Sequence, residues 1–180
     1  GRVRVEAFNG FLPADVRVEN AEVTVCHMWD ESTVGLASHD PASRTLVFAG
    51  RTAHPAGSFG VPRYAVWNTR EGMTRPGQWY LDRKERRVYY WPPEGTDMTK
   101  AFAVAPTMET LVAVSGQSGK AHPDGLAIRD LTLSASEAPL RPAGFGASNW
   151  PGAVRLTYAD NVLVERVEVA QAGAWGVREW

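Results

Sequence analysis

The sequence contains a clear internal repeat: Gly125-Leu-Ala-Ile-Arg-Asp-Leu-Thr-Leu-Ser-Ala-Ser136 is followed 36 residues later by Asn161-Val-Leu-Val-Glu-Arg-Val-Glu-Val-Ala-Gln-Ala172. Four matched apolar pairs define the overlay: Leu126 with Val162, Ile128 with Val164, Leu131 with Val167, and Leu133 with Val169. In both copies the apolar positions advance by two, three and then two residues. Because side chains alternate along a strand, the step of three predicts a bend between two strands that keeps the apolar residues on one side.

Three further segments share a second apolar column, whose members are Val112, Val154 and Val177, at offsets of 42 and 23 residues. A basic unit of 23 residues accounts for every offset if six extra residues lie in 117–124 and 13 in 137–150. Repeats of this length are typical of solenoids, in which each turn buries its apolar face against neighbouring turns. We therefore predict that residues 107–180 form the first two to three turns of a parallel β-helix. A leucine-rich repeat fits poorly, because its Leu-x-x-Leu-x-Leu pattern with Asn is not matched.

The preceding residues also have the pattern of strands. Apolar alternation with a period of two recurs at Glu22–Val25, Thr45–Phe48 and Tyr64–Trp67, and no long window shows helical spacing. Within residues 78–93, two aromatic segments flank a charged tip, which predicts a β-hairpin. We therefore predict an all-β protein in which residues 1–106 form a small β-sandwich or barrel-like domain.

Composition excludes several classes of protein. The 180 residues include 19 Lys and Arg and 20 Asp and Glu, a net charge of -1, without the basic block that phosphate binding needs. The longest stretch free of these residues spans 13 positions, 142–154, which is too short for a membrane helix. Cys26 is the single cysteine, so no internal disulfide can form. No Cys/His spacing matches a zinc site. We therefore predict no metal, no cofactor, no nucleic acid partner and no membrane partner.

Three runs of sequence resemble one family: Gly77-Gln-Trp-Tyr-Leu-Asp-Arg-Lys84, Val88-Tyr-Tyr-Trp-Pro-Pro-Glu-Gly95 and Ala159-Asp-Asn-Val-Leu-Val-Glu-Arg-Val-Glu-Val169. They are similar to right-handed parallel β-helix proteins of the pectin-lyase type, carbohydrate-active enzymes in which a small β-domain interrupts the first helical turns. The similarity extends from Glu22 to the C-terminus. It implies the N-terminal part of a secreted or periplasmic protein that acts on an oligo- or polysaccharide. Relatives include α-1,3-galactosidases, fucosidases, xylanases and β-xylosidases, so the resemblance implies glycan chemistry without naming the sugar.

Glycoside hydrolysis usually needs two carboxyl groups, about 5 Å apart for retention or about 6.5–9.5 Å apart for inversion. Strands of neighbouring turns lie about 4.8 Å apart, so matched carboxylates would indicate a catalytic pair. The overlay instead matches Arg129 with Glu165, Asp130 with Arg166, and Thr132 with Glu168. Opposite charges at matched positions are typical of structural pairs. We therefore expect a glycoside hydrolase whose catalytic carboxylates lie outside this chain, in turns beyond Trp180, and a chain that is inactive alone.

Gln171, Trp175 and Arg178 are candidate glycan contacts, because they lie near the start of the third predicted turn, where a groove along the helix would begin. The resemblance places Gln171 where relatives often have His. Two alternatives remain open. A non-catalytic carbohydrate-binding or structural module would use the aromatic hairpin, since apolar rings with polar tips suit sugar stacking. A polysaccharide lyase would use basic groups on an exposed strand face, such as Arg155 and Arg178. The uncovered apolar edge of the last turn predicts association through that end.

Overall fold

The computed structural model describes residues 2–4, 15–61 and 63–180. Strands account for 39% of the chain and helical turns for 4%, which confirms the predicted all-β class. The chain forms two compact units: the first contains the residues up to Phe102 together with Leu140–Asn149, and the second contains Ala103–Pro139 and Trp150–Trp180. None of the helical turns in the described ranges is long and apolar enough to cross a lipid bilayer.

The first unit has seven strands among its described residues: β1 (Arg2–Arg4), β2 (Glu22–Cys26), β3 (Glu31–Asp40), β4 (Thr45–Phe48), β5 (Tyr64–Trp67), β6 (Trp79–Asp82) and β7 (Arg87–Tyr90). The first five form one antiparallel sheet in the order β1-β4-β3-β2-β5, and β6 pairs with β7. Along β2 and the first part of β3 every second residue is buried, as the alternating sequence predicts. The core of the unit consists of Ala21, Val23, Val25, Val34, Leu36, Leu46 and Phe48.

The predicted hairpin is present as β6 and β7, with Trp79 opposite Tyr90. Tyr80 is buried, and its hydroxyl accepts a hydrogen bond from Asn20 Nδ2 at 2.7 Å. Trp79, which precedes Tyr80 and therefore points to the opposite face, is exposed. The hairpin thus packs through one face and leaves the other face in solvent.

Asn68 attaches this hairpin to the residues that precede β2. Its side-chain amide donates to the carbonyls of Asn20 and Leu81, at 2.8 and 2.9 Å, and its Oδ1 accepts from the Leu81 N–H at 2.7 Å. One side chain therefore provides three hydrogen bonds between segments that are distant in sequence.

The second unit has five strands: β8 (Val112–Ser115), β9 (Ala127–Ser134), β10 (Gly152–Thr157), β11 (Leu163–Ala170) and β12 (Trp175–Glu179). β8, β10 and β12 form a parallel sheet in which Val154 lies between Val112 and Val177. β9 and β11 form a second parallel pair, with Val164 beside Ile128, Val167 beside Leu131 and Val169 beside Leu133. The predicted column of three valines and three of the four predicted pairs are therefore confirmed.

β9 and β11 both bend at residues with left-handed backbone angles. Asp130 (φ 56°) and Arg166 (φ 51°) occupy the predicted step of three. Ala135 (φ 61°) and Gln171 (φ 52°) form a second matched pair, directly after the strands. Residues other than glycine adopt this conformation infrequently. Its recurrence at matched positions indicates that the two copies of the repeat share the same bends.

The insertion predicted in 137–150 contains the segment that belongs to the first unit. The Ala143 N–H donates to the Glu31 carbonyl at 2.9 Å, and Pro142 forms an antiparallel bridge with Ser32. A short 3-10 turn, Phe145–Ala147, follows. These extra residues therefore add an element to the first unit, beside the start of β3.

Burial in the second unit is centred on β10. Val154 is 0% exposed, whereas Val177 on β12 is 46% exposed. β10 has a strand on each side, while β12 pairs only with β10 among the described residues. The apolar column is therefore covered at its centre and open at its last strand.

Candidate functional site

The structure places the three candidate glycan contacts on and before β12. Gln171 lies at the left-handed corner after β11, where its Oε1 accepts a hydrogen bond from Ser134 Oγ at 3.1 Å. Trp175 is the first residue of β12 and is exposed. Arg178 lies on the same strand, and burial lowers the pKa of its guanidinium. A common role of these residues in sugar binding stays a prediction.

Protein groups already engage Arg178. Its guanidinium donates to the Trp150 carbonyl, and its central carbon lies 4.1 Å from the ring centroid of Trp180. Arg155 lies beside Arg178 in register, as the lyase alternative requires. A ligand that bound the Arg178 guanidinium would compete with these contacts, which favours a structural role for this side chain.

The predicted stacking of opposite charges is present on β9 and β11. Arg129 and Glu165 form an ion pair at 3.0 Å, and Arg166 donates to both carboxylate oxygens of Asp130 at 2.5 and 2.8 Å. The hydrogen bonds from Arg166 hold the pKa of the Asp130 carboxyl below its ordinary value. Arg166 also lies 2.8 Å from Glu165. Both carboxylates are therefore paired with arginines at the surface, an arrangement that contributes modestly to stability.

One matched pair of carboxylates was missed by the sequence analysis. Asp124 and Asp160 are also 36 residues apart, and they form a parallel bridge. Asn161 Nδ2 donates to Asp124 Oδ1 at 2.8 Å, while His122 Nδ1 lies 3.2 Å from Asp160 Oδ2. The 36-residue offset, applied one residue upstream of the overlay, identifies this pair in the sequence.

The spacing of Asp124 and Asp160 suits a retaining glycosidase, but their surroundings suit a corner. Adjacent strands lie about 4.8 Å apart, close to the carboxyl separation of about 5 Å in retaining enzymes. The Asp160 side chain is 60% exposed, however, whereas a catalytic general acid usually lies in apolar surroundings. The following residues, Gly125 and Asn161, have left-handed backbone angles. We therefore interpret the pair as residues that shape matched bends.

The outer face of the hairpin carries exposed aromatic rings. Trp79 and Tyr90 are cross-strand partners, and they are 60% and 42% exposed. Val88, which lies two residues before Tyr90 and therefore on the same face, is exposed as well. Aromatic rings combine a large apolar face with a polar tip, which suits contact with a sugar ring. This face has the chemistry expected of a carbohydrate-binding surface.

His27 and Asp30 form a buried pair that the sequence analysis did not find. The His27 N–H donates to the Asp30 carbonyl at 2.9 Å, which closes a tight turn between β2 and β3. His27 Nδ1 lies 2.9 Å from Asp30 Oδ1, and the two side chains are 0% and 3% exposed. His27 Nε2 lies 3.1 Å from the His54 carbonyl, which can only accept a hydrogen bond. Both ring nitrogens of His27 therefore have an oxygen within hydrogen-bond distance, one from the Asp30 carboxyl and one from the His54 carbonyl.

The second carboxylate oxygen of Asp30, Oδ2, is buried and has no hydrogen-bond partner among the described residues. An unpaired buried acceptor costs about 1–3 kcal/mol. Native proteins contain few such groups, and those present call for an explanation such as a bound water or a functional role. No signal in the sequence identifies this pair, because its geometry depends on the shape of the turn.

Within residues 15–61 and 63–180, no group of three or more His, Cys, Asp and Glu side chains is arranged to hold a metal ion. Comparisons of the chain with protein-family models, with curated proteins and with solved structures gave no match.

Proposed function

We propose that the second unit begins a parallel β-helix and that the chain is the N-terminal part of a glycoside hydrolase of that type. The observation that carries the proposal is the register of the parallel strands. Val112, Val154 and Val177 lie in one column, and β9 and β11 stack at the predicted offset of 36 residues. Matched left-handed bends in β9 and β11 are what coils passing from one sheet to the next require.

The carboxylates on and next to β9 and β11 already have structural roles, which favours a catalytic pair elsewhere in the protein. Glu165 and Asp130 are bound by arginines, and Asp124 and Asp160 precede bends. We therefore place the catalytic carboxylates in turns beyond Trp180. The resemblance described above supplies the substrate class, an oligo- or polysaccharide, and a secreted or periplasmic location.

An activity assay tests this proposal. The 180-residue chain and a longer protein with further turns would be incubated with aryl glycosides and oligosaccharides. Hydrolysis by the longer protein alone is the expected result. Hydrolysis by the shorter chain that disappears in Asp124→Asn or Asp160→Asn would contradict the placement of the carboxylates. Asp97→Asn is the matched control, because this carboxylate is also surface-exposed but lies in the first unit.

The exposed hairpin face supports a second candidate function, a non-catalytic carbohydrate-binding module. The observation that favours this function is the exposed cross-strand pair Trp79–Tyr90. Glycan-array binding that Trp79→Ala abolishes, with unchanged circular dichroism, would favour this function. Trp67→Ala is the control, since Trp67 is similarly exposed but lies on β5. Array binding that both variants lose equally would count against the hairpin.

A further inference from the structure

The connection that follows the hairpin is exposed along its whole length. Residues 93–108 are all exposed, and none of them lies in a strand or a helical turn. Between Ala101 and Thr107, no backbone N–H or carbonyl forms a hydrogen bond with another described residue. Phe102, the last residue of this part of the first unit, is 91% exposed. The segment therefore has neither the buried side chains nor the hydrogen bonds that protect a backbone from local opening.

A second exposed phenylalanine has a different backbone. Phe145 is 77% exposed, but it lies in a 3-10 turn within a closed loop. The Ser148 N–H donates to the Phe145 carbonyl at 3.1 Å, and the Asn149 N–H donates to the Ala143 carbonyl at 2.7 Å. These hydrogen bonds must break before the chain around Phe145 can extend. The rings of Phe102 and Phe145 are thus both accessible, whereas only the backbone of Phe102 is without hydrogen bonds.

We propose that residues 101–107 are a cleavage site for an endoprotease that prefers an aromatic side chain, and that the two fragments stay bound to each other after the cut. An endoprotease binds its substrate as an extended chain, so it cuts exposed segments whose backbone lacks hydrogen bonds. Water is the second reactant: the peptide bond between Phe102 and Ala103 breaks, which leaves a carboxylate on Phe102 and an amino group on Ala103. The cut falls at the boundary between the two units.

The composition of the first unit explains why the fragments stay together. The C-terminal fragment, residues 103–180, carries Leu140–Asn149, which belongs to the first unit. Within that unit Ala143 is 1% exposed and its N–H donates to the Glu31 carbonyl at 2.9 Å. Pro142 also forms an antiparallel bridge with Ser32. Because Glu31 and Ser32 lie on the N-terminal fragment, the fragments can separate only if these contacts break and the buried alanine leaves its place.

Limited digestion of the intact 180-residue chain with chymotrypsin, which binds an aromatic side chain in an apolar pocket, tests the cleavage site. Mass spectrometry follows the peptide bonds after Phe102 and Phe145 over time, and Phe145 is the matched control within the same chain. We expect the bond after Phe102 to be cut at least about tenfold faster. Phe102→Ser should remove this cut and leave the melting temperature unchanged. Equal rates, or a faster cut after Phe145, would overturn the cleavage site.

Size-exclusion chromatography of the cut protein tests the association of the fragments. We expect residues 103–180 to elute with the N-terminal fragment in buffer and apart from it in about 6 M urea. Ala143→Pro removes the N–H that donates to Glu31 and should raise the separated fraction about threefold or more.

Phe145→Ala is the second variant, because it removes only an exposed ring whose centroid lies 6.3 Å from that of Trp29. It should shift the separated fraction in the same direction without affecting folding of the uncut chain. Elution of the native fragments apart in buffer would overturn the association. An unchanged separated fraction in both variants would show that Leu140–Asn149 does not hold the fragments together, and would overturn it as well.

Discussion

Replacement of Val154 by alanine removes two carbon atoms from the centre of the apolar column on β8, β10 and β12. Val154 is 0% exposed and lies between Val112 and Val177. At about 0.8 kcal/mol for each buried carbon, the transfer contribution is about 1.6 kcal/mol. The cavity that remains adds to this loss, so we expect the free energy of unfolding of the second unit to fall by about 1.5–2.5 kcal/mol.

The same substitution at Val177 should cost much less. Val177 is 46% exposed, so roughly half of the transfer contribution is lost and little cavity forms. We expect a decrease of about 0.5–1 kcal/mol, since the side chain at the last strand is already partly hydrated. The difference between Val154→Ala and Val177→Ala measures how far β10 is covered and β12 is open.

Hydrogen exchange of peptides from β10, measured across a urea series, reports on the second unit independently of the first. This choice matters because a chain with two units need not unfold in one step. Equal losses in Val154→Ala and Val177→Ala would refute the reasoning. That outcome would mean that the column is covered at both strands, through self-association or another contact.

Three other perturbations follow from the hydrogen bonds. Arg166→Met should raise the pKa of Asp130 towards its ordinary value, which NMR titration measures. The lowered pKa stabilises the fold fully above the unfolded value, and this contribution is lost as the pH falls through the pKa of the folded state. Asp130→Asn has no such contribution, so its stability should fall less than that of the native chain over the same acidic range. Asn68→Ala removes three hydrogen bonds and should lower stability by about 2–3 kcal/mol in urea unfolding, whereas a loss under about 0.5 kcal/mol would contradict their role. His27→Ala leaves the buried Asp30 without its side-chain partner and should cost about 1–3 kcal/mol in the same assay, with a smaller loss in His27→Gln; equal losses would argue against a stabilising hydrogen bond between the two side chains.

The register of the second unit could be predicted because it depends on a local pattern. Apolar residues that step by two, three and two leave one way to superimpose the copies, and the step of three locates the bend at Asp130 and Arg166. The carboxylate pair Asp124 and Asp160 follows from the same offset, but it lies one residue outside the apolar overlay. It was missed because the comparison ended where the apolar pattern ended.

The sequence could not predict which residues the insertion in 137–150 contacts, nor that Phe145 lies beside Trp29. The residues of 137–150 have no apolar periodicity, so their composition indicates a loop without showing what it contacts. Phe145 meets Trp29 because Ala143 hydrogen-bonds to Glu31, a pairing across more than 100 residues of sequence that no spacing rule identifies. The His27–Asp30 pair likewise depends on the conformation of a single turn.

Because the first unit takes up Leu140–Asn149, its completion depends on the order in which the ribosome makes the chain. When Phe102 leaves the ribosome, the Glu31 carbonyl still lacks its partner at Ala143. β8 and β9 are synthesised before that partner emerges, but their own partners, β10 and β11, are synthesised after it. A gene truncated after Phe102 would therefore encode a first unit without Phe145, and any continuous stretch of codons that encodes the whole of one unit also encodes part of the other.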